Sequence, residues 1–123
     1  MPASHEENIA NNLTLVSVVM CTYNGGKFLQ QQVDSILAQT YRNIELLIVD
    51  DTSSDNTVQL LEEYRKKDSR IRYVVNPANL GYNKNFEIAF GLARGNYIAP
   101  SDQDDIWKAN KIEIMMKKWP AGS

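Results

Sequence analysis

The residues able to do chemistry in this chain gather in three short stretches. Asp102-Gln103-Asp104-Asp105-Ile106-Trp107 holds three carboxylates in four residues, one residue after the apolar run Tyr97-Ile98-Ala99-Pro100. Like charges at close range repel, and a partly buried carboxylate must be compensated. Asp102 and Asp104 are two apart, a spacing that at a strand end can bring both toward one hard cation with oxygen ligands. The stretch taken alone fits an acidic solvated loop capping the next helix equally well.

The second stretch is Asp50-Asp51, which closes an apolar run. One of the two can simply cap the following helix, because carboxylates favour helix N-termini, and that bland reading suits Asp50. A carboxylate at such a place can also accept hydrogen bonds from a base N–H or a ribose hydroxyl. The third stretch is Thr22-Tyr23-Asn24-Gly25-Gly26. Tyr23 is suited to lie flat against a nucleobase and equally suited to pack in the core. The two glycines lack the spacing of a phosphate fingerprint, and there is no G-x-x-x-x-G-K-[ST]. Any phosphates would then be held by a cation, which points back to Asp102 and Asp104. A metal bridging two phosphates acts as a Lewis acid on a departing nucleoside diphosphate. Lys84 and Arg94 are candidates to assist, against the commoner reading of solvated helix lysines and arginines.

These residues must be positioned by the elements around them. Leu15 to Cys21 is nearly all apolar, which predicts a strand buried on both faces. From Lys27 to Gln39, Phe28, Leu29, Val33, Ile36 and Leu37 recur at helical spacing. Ile44 to Val49 is a second buried strand. A run of turn and cap residues follows, then a helix over about 57–67 with Val58, Leu61 and Tyr64 on one face. Ile71 to Val75 alternates more, as an edge strand does. Tyr82 to Ala93 reads as a third helix with Phe86, Ala89 and Phe90 inward. Tyr97 to Ala99 is a fourth strand. A last helix near Ala109 to Lys118 turns Ile112, Met115 and Met116 inward. The order β-α-β-α-β-α-β-α predicts an α/β fold, a mainly parallel sheet with helices on both faces. Right-handed crossovers put every strand C-terminus at one edge, where ligands of such sheets bind. The three polar stretches all lie there, and that convergence favours a ligand or metal site over a bland loop.

Composition narrows the chemistry further. The 123 residues suit one domain, and the formal charge of -2 carries no basic footprint of a nucleic-acid binder. Cys21 is the single cysteine and His5 the single histidine, so an intrachain disulfide, a cysteine-based zinc site and a Ser-His mechanism are all excluded or disfavoured. No apolar run reaches the ~18 residues of a membrane span, and the N-terminus has no signal-peptide pattern.

Several motifs in order carry a family resemblance. Val16 to Asn24 resembles the opening strand of the family 2 glycosyltransferases. Ser35-Ile36-Leu37-Ala38-Gln39-Thr40-Tyr41 is similar to the end of that family's first helix. Val49-Asp50-Asp51-Thr52-Ser53-Ser54-Asp55-Asn56-Thr57 matches its second-strand motif, and Asn79-Leu80-Gly81 with Asn85 its Asn-x-Gly loop. Ser101 to Trp107 resembles the metal-binding motif as written in the subgroup that includes rhamnosyltransferases. The resemblance covers about 15–118.

It implies a Rossmann-like GT-A sheet that binds a nucleoside-diphosphate sugar, UDP- or dTDP-linked, with a saccharide or lipid-linked acceptor and inversion at the anomeric carbon. Cys21, Thr22, Tyr23 and Asn24 would line the base pocket, with Tyr23 stacking, and Asp51 would bind base or ribose. Lys84 and Gln103 would lie near the donor. Asp102 would approach ribose or metal, and Asp104 would be the main protein ligand of Mn2+ or Mg2+. Asp105 would orient the loop and Trp107 would pack it. The implied role lies in cell-envelope polysaccharide biosynthesis, in the cytoplasm at the inner face of the membrane.

Cys21 and Ala109 depart from common residues of the family without removing a donor-binding group. The larger departure is length, since the family's catalytic base belongs to a later half. The expectation is therefore a disordered leader over 1–13, the donor-binding half of a GT-A domain over 14–119 and a tail over 120–123. An incomplete sheet would leave an open surface that favours self-association. Two other classes compete. A non-catalytic nucleotide-binding or interaction domain would keep the pocket without the base. A receiver-type signalling domain also clusters carboxylates around Mg2+, but wants its acidic pair after the first strand.

Overall fold

The computed structural model describes residues 14–102 and 106–118. Its elements run β1 (Val16–Thr22), α1 (Gly26–Leu37), β2 (Ile44–Asp50), α2 (Thr57–Lys67), β3 (Ile71–Val75), α3 (Tyr82–Leu92), β4 (Tyr97–Ser101) and α4 (Lys111–Lys118). The four strands form one parallel sheet in the order β3-β2-β1-β4. All seven residues of β1 and all seven of β2 are buried, as their unbroken apolar runs require of central strands. β3, the more alternating strand, lies at an edge.

The strand order explains the placement of the helices. From β1 the chain moves one way to β2 and on to β3, then returns across the sheet to β4. Right-handed crossovers going in opposite directions place their helices on opposite faces. Accordingly Leu29, Val33 and Ile36 of α1, Leu61 of α2 and Ile112 and Met116 of α4 pack with Val16, Val18, Met20, Leu46 and Ile48. Phe86 and Ala89 of α3 cover the other face, against Val19, Cys21, Leu47 and Val49. Each fully buried Val, Leu or Ile in these layers contributes about 1.5–3 kcal/mol. The reversal falls between β1 and β4, so the switch point is where Thr22 and Asp102 emerge. The order also rules out the receiver alternative, whose doubly wound sheet runs 2-1-3-4-5.

Three sequence expectations are corrected. Phe28 belongs to the apolar stripe of α1 and Phe90 to the expected inner face of α3, yet they are 43% and 47% exposed. Gln32 and Asn85 occupy inward positions of α1 and α3, beside the apolar residues that pack on the sheet. The last helix begins at Lys111, two residues later than Ala109. The preceding backbone is tied to the turn after α1: the Ala109 oxygen accepts from Thr40 N–H at 2.8 Å and the Lys108 oxygen from Gln39 Nε2 at 2.6 Å. β4 runs two residues past the expected end and includes Pro100. Proline is tolerated in an edge strand, and among the described residues β4 pairs with β1 alone.

The sheet end remote from the switch point is tied by polar groups. Ser17 Oγ donates to Glu45 Oε2 at 2.5 Å, Arg72 lies 2.9 Å from Glu45 Oε1, and the N–H of Arg94 reaches Oε2 at 2.7 Å. Gly95 passes so close that a Cβ there would stand 2.6 Å from Ser17 Oγ and 2.7 Å from the Leu15 oxygen. Backbone cannot yield to such a contact, so glycine is required.

Candidate functional site

At the C-terminal edge, the loops after all four strands are joined by hydrogen bonds. Asn24, after β1, adopts φ 50 and accepts at Oδ1 from the N–H of Ser54 at 2.7 Å. Its own N–H donates to Ser53 Oγ at 2.9 Å. Asparagine tolerates the left-handed region that this tight connection needs. Asp55 then couples the starts of two helices, accepting from the Gly26 N–H of α1 and the Thr57 N–H of α2. The Thr57 hydroxyl and N–H, with the Gly26 N–H, hold the Asp55 carboxyl below its ordinary value.

The two adjacent aspartates have different tasks. Asp50 is fully buried and accepts from Thr22 Oγ1 at 2.8 Å, Ser53 Oγ at 2.5 Å and Ser53 N–H at 2.8 Å. It therefore braces the turn itself. The expectation that it caps the next helix is corrected, because the carboxylate bonded to the start of α2 is that of Asp55. Asp51 turns the other way, to the loop after β3. Its Oδ1 accepts from Leu80 N–H at 2.7 Å and Asn76 Nδ2 at 3.1 Å, and its Oδ2 from Gly81 N–H at 3.1 Å. Burial pushes the Asp51 carboxyl up, but the donors of Leu80, Asn76, Gly81 and Asn85 outweigh it, so the net shift is downward. Asn85 from α3 accepts from Asn76 Nδ2 at 2.6 Å, which orients that amide. The Asn79-Leu80-Gly81 loop is thus a clamp around Asp51.

Gly81 has φ 90 and ψ 166. That region is essentially restricted to glycine and costs other residues of order 1–3 kcal/mol. A Cβ there would meet nothing within 4 Å, so the requirement is conformational rather than steric. The next residue, Tyr82, is 62% exposed and donates its hydroxyl to Asp102 Oδ1 at 2.8 Å. The bond to Asp102 pushes the Tyr82 phenol above its ordinary value, with desolvation adding to it. The main-chain oxygen of Asp102 accepts from Gln32 Nε2, and the same amide lies 3.1 Å from Ser101 Oγ. Asp102 is therefore held by its backbone from α1 and by its side chain from α3.

The other expected site residues are distributed as follows. Tyr23 is 50% exposed, which removes the core-packing reading and leaves its ring at the rim of the edge. Thr22 is buried against Asp50. Cys21 is buried among Val19, Leu47, Val49, Phe86 and Ala89. Burial, and then the charge of Asp51, push its thiol up to about 12. Lys84 points to solvent, with Nζ 3.6 Å from Glu87 Oε2, and the structure gives it no bond to Asp51 or Asp102. Gln103, Asp104 and Asp105 lie outside the described residues. Trp107 is buried, its main-chain N–H donating to Ser35 Oγ at 3.1 Å and its ring covered by Lys111 Nζ at 4.4 Å.

Among the described residues no group of three His, Cys, Asp or Glu side chains is assembled to hold a metal ion. They contribute one exposed carboxylate at the switch point, Asp102, whose oxygen chemistry suits a hard cation. Beside it a groove of about 530 Å³ runs between α3 and β4, lined by Tyr82, Phe86, Phe90 and Pro100 with Asp102 at one end. Sequence reasoning missed Gln32, Asn76 and Tyr82. The one available signal was Gln32, a polar residue at an inward position of an otherwise apolar helical stripe.

The family model for glycosyl transferase family 2 matches residues 17–123, and the chain belongs to that family. Over 102 residues it is 41% identical to an uncharacterised glycosyltransferase of Haemophilus influenzae, covering 83% of this chain and 32% of that protein. It is 42% identical over 102 residues to the Escherichia coli UDP-Glc:alpha-D-GlcNAc-diphosphoundecaprenol beta-1,3-glucosyltransferase WfgD, covering 83% and 40%. S. aureus TarS 1–349, crystallised in complex with UDP, superposes with a TM-score of 0.77 at 28% identity over 83% of this chain and 31% of that one. The fold is the GT-A type. The chain spans about a third of the length of such relatives.

Proposed function

We propose that this chain forms the donor-binding part of a glycosyltransferase that moves a sugar from a nucleoside-diphosphate donor to a saccharide or lipid-linked acceptor, with inversion. The observation that carries this reading is the joining of four strand-end loops into one rim at the switch point, with Asp51 clamped and Asp102 exposed. Support comes from relatives: TarS is crystallised with UDP and with UDP-GlcNAc, and WfgD is named for a UDP-Glc donor. Tyr23 and Asn24 would meet the base, and Asp51 the base or ribose. Thr22 and Cys21 would act through the backbone of β1, since both side chains are buried.

Asp102 and Asp104 would hold Mn2+ or Mg2+. When bound, the ion supplies Lewis-acid stabilisation to the diphosphate. The base that activates the acceptor would come from outside the residues described here. Synthesis of a cell-envelope polysaccharide at the inner face of the membrane follows from such an acceptor. Among the described residues no helix is long and apolar enough to cross a membrane.

Calorimetry tests the reading. UDP or dTDP should bind in the presence of Mn2+, and Asp104→Ala should weaken that binding at least tenfold, as expected for a lost charged ligand to a cation (about 1.4 kcal/mol per tenfold). Absence of nucleotide binding with any divalent ion would overturn it. The chain by itself should transfer no sugar at an enzymatic rate.

A further inference from the structure

Two consecutive residues connect the two carboxylates of the rim. The N–H of Gly81 donates to Asp51 Oδ2 at 3.1 Å, and the hydroxyl of Tyr82 donates to Asp102 Oδ1 at 2.8 Å. The loop after β3 and the strand β4 are therefore coupled through one dipeptide. Tyr82 does little for the core: it is 62% exposed, and its ring packs on Phe86 at 4.7 Å between centroids. An exposed tyrosine of a helix's first turn gains little by ordering its side chain unless the hydroxyl has a task. Here the hydroxyl takes one oxygen of Asp102, among the described residues no hydrogen bond is made to the other, and Gln32 fixes the backbone beneath.

We infer that Tyr82 is a positioning residue of the donor site, holding the Asp102 carboxylate in the orientation that receives the cation and its nucleotide. The inference rests on the donor-binding reading above. A carboxylate free to rotate loses part of its binding energy to ordering; one already oriented does not. Tyr82 is therefore expected to affect cation-dependent nucleotide affinity and to leave folding unaffected.

The test measures UDP affinity with Mn2+ and with EDTA for the full chain and for Tyr82→Phe, Asp102→Asn and the double variant. Tyr82→Phe keeps the ring on Phe86 and removes only the hydroxyl. The expected result is a loss of roughly three- to tenfold in the Mn2+-dependent affinity, the size of one half-exposed hydrogen bond, with thermal unfolding and affinity in EDTA unchanged. In the double variant the loss should equal that of Asp102→Asn alone, because the two side chains act as a unit. Wild-type affinity in Tyr82→Phe, or losses that add in the double variant, would overturn this inference and leave the donor-site reading intact. A wild-type chain that binds no nucleotide with Mn2+ would overturn both.

Discussion

Gln39 and Lys108 are 69 residues apart, yet Gln39 Nε2 donates to the Lys108 main-chain oxygen at 2.6 Å. The other end of the same amide, Oε1, accepts from the Ile112 N–H at 3.0 Å. One fully buried glutamine, two residues past the end of α1, thereby docks the segment 108–112 beside that helix.

Those two hydrogen bonds give a first prediction. Gln39→Leu would leave the buried Ile112 N–H without this partner, at about 1–3 kcal/mol for an unsatisfied buried group, while the Lys108 oxygen keeps the Lys111 N–H at 3.1 Å. Urea unfolding should show a destabilisation in that range. A change under about 0.5 kcal/mol, the size of an ordinary surface substitution, would show that the docking does not depend on the amide.

Asp51 yields a prediction with a sign. Its folded carboxyl lies below the unfolded value of about 3.9, because the donors of Leu80, Asn76, Gly81 and Asn85 outweigh burial. The stabilisation is therefore complete above the unfolded pKa and is lost as pH falls through the folded one. The stability difference between wild type and Asp51→Asn should be constant from about pH 6 to 8 and shrink below about pH 4, where the unfolded carboxyl begins to protonate. Unfolding curves across that range check it; a difference that grew on acidification would contradict the clamp.

Cys21 should be chemically silent in the folded protein. With its thiol pushed up to about 12, roughly one thiol in ten thousand is ionised at pH 8, against about a quarter in an unfolded chain with an ordinary cysteine. Alkylation by iodoacetamide should therefore be on the order of a thousandfold slower in native protein than in denaturing urea, since the thiolate is the nucleophile. Comparable rates in the two states would show that β1 opens at its C-terminal end.

Much of this architecture is written in local pattern. The apolar runs of Val16 to Cys21 and Ile44 to Val49 mark central strands because only a strand covered on both faces buries consecutive residues. The βα alternation, together with the handedness of crossovers, places Thr22, Asp50 and Asp102 at one edge before any coordinate is known. The motifs around Asp51, Gly81 and Asp102 identify the family. What periodicity does not carry is the identity of a partner across 20 to 70 residues, or which way a side chain at a strand end turns. Adjacent residues Asp50 and Asp51 are alike in type, yet one braces its own turn and the other is clamped by the loop after β3. The type of residue at Tyr23 suits core and rim alike, and the fold leaves it half exposed at the rim. Phe28 and Phe90 fit the apolar stripes but face out, because a helix lying on a sheet buries a narrower face than its hydrophobic residues can fill. The bond from Tyr82 to Asp102 exists only because the chain crosses back over the sheet and sets the start of α3 beside the end of β4, a meeting decided by tertiary structure alone.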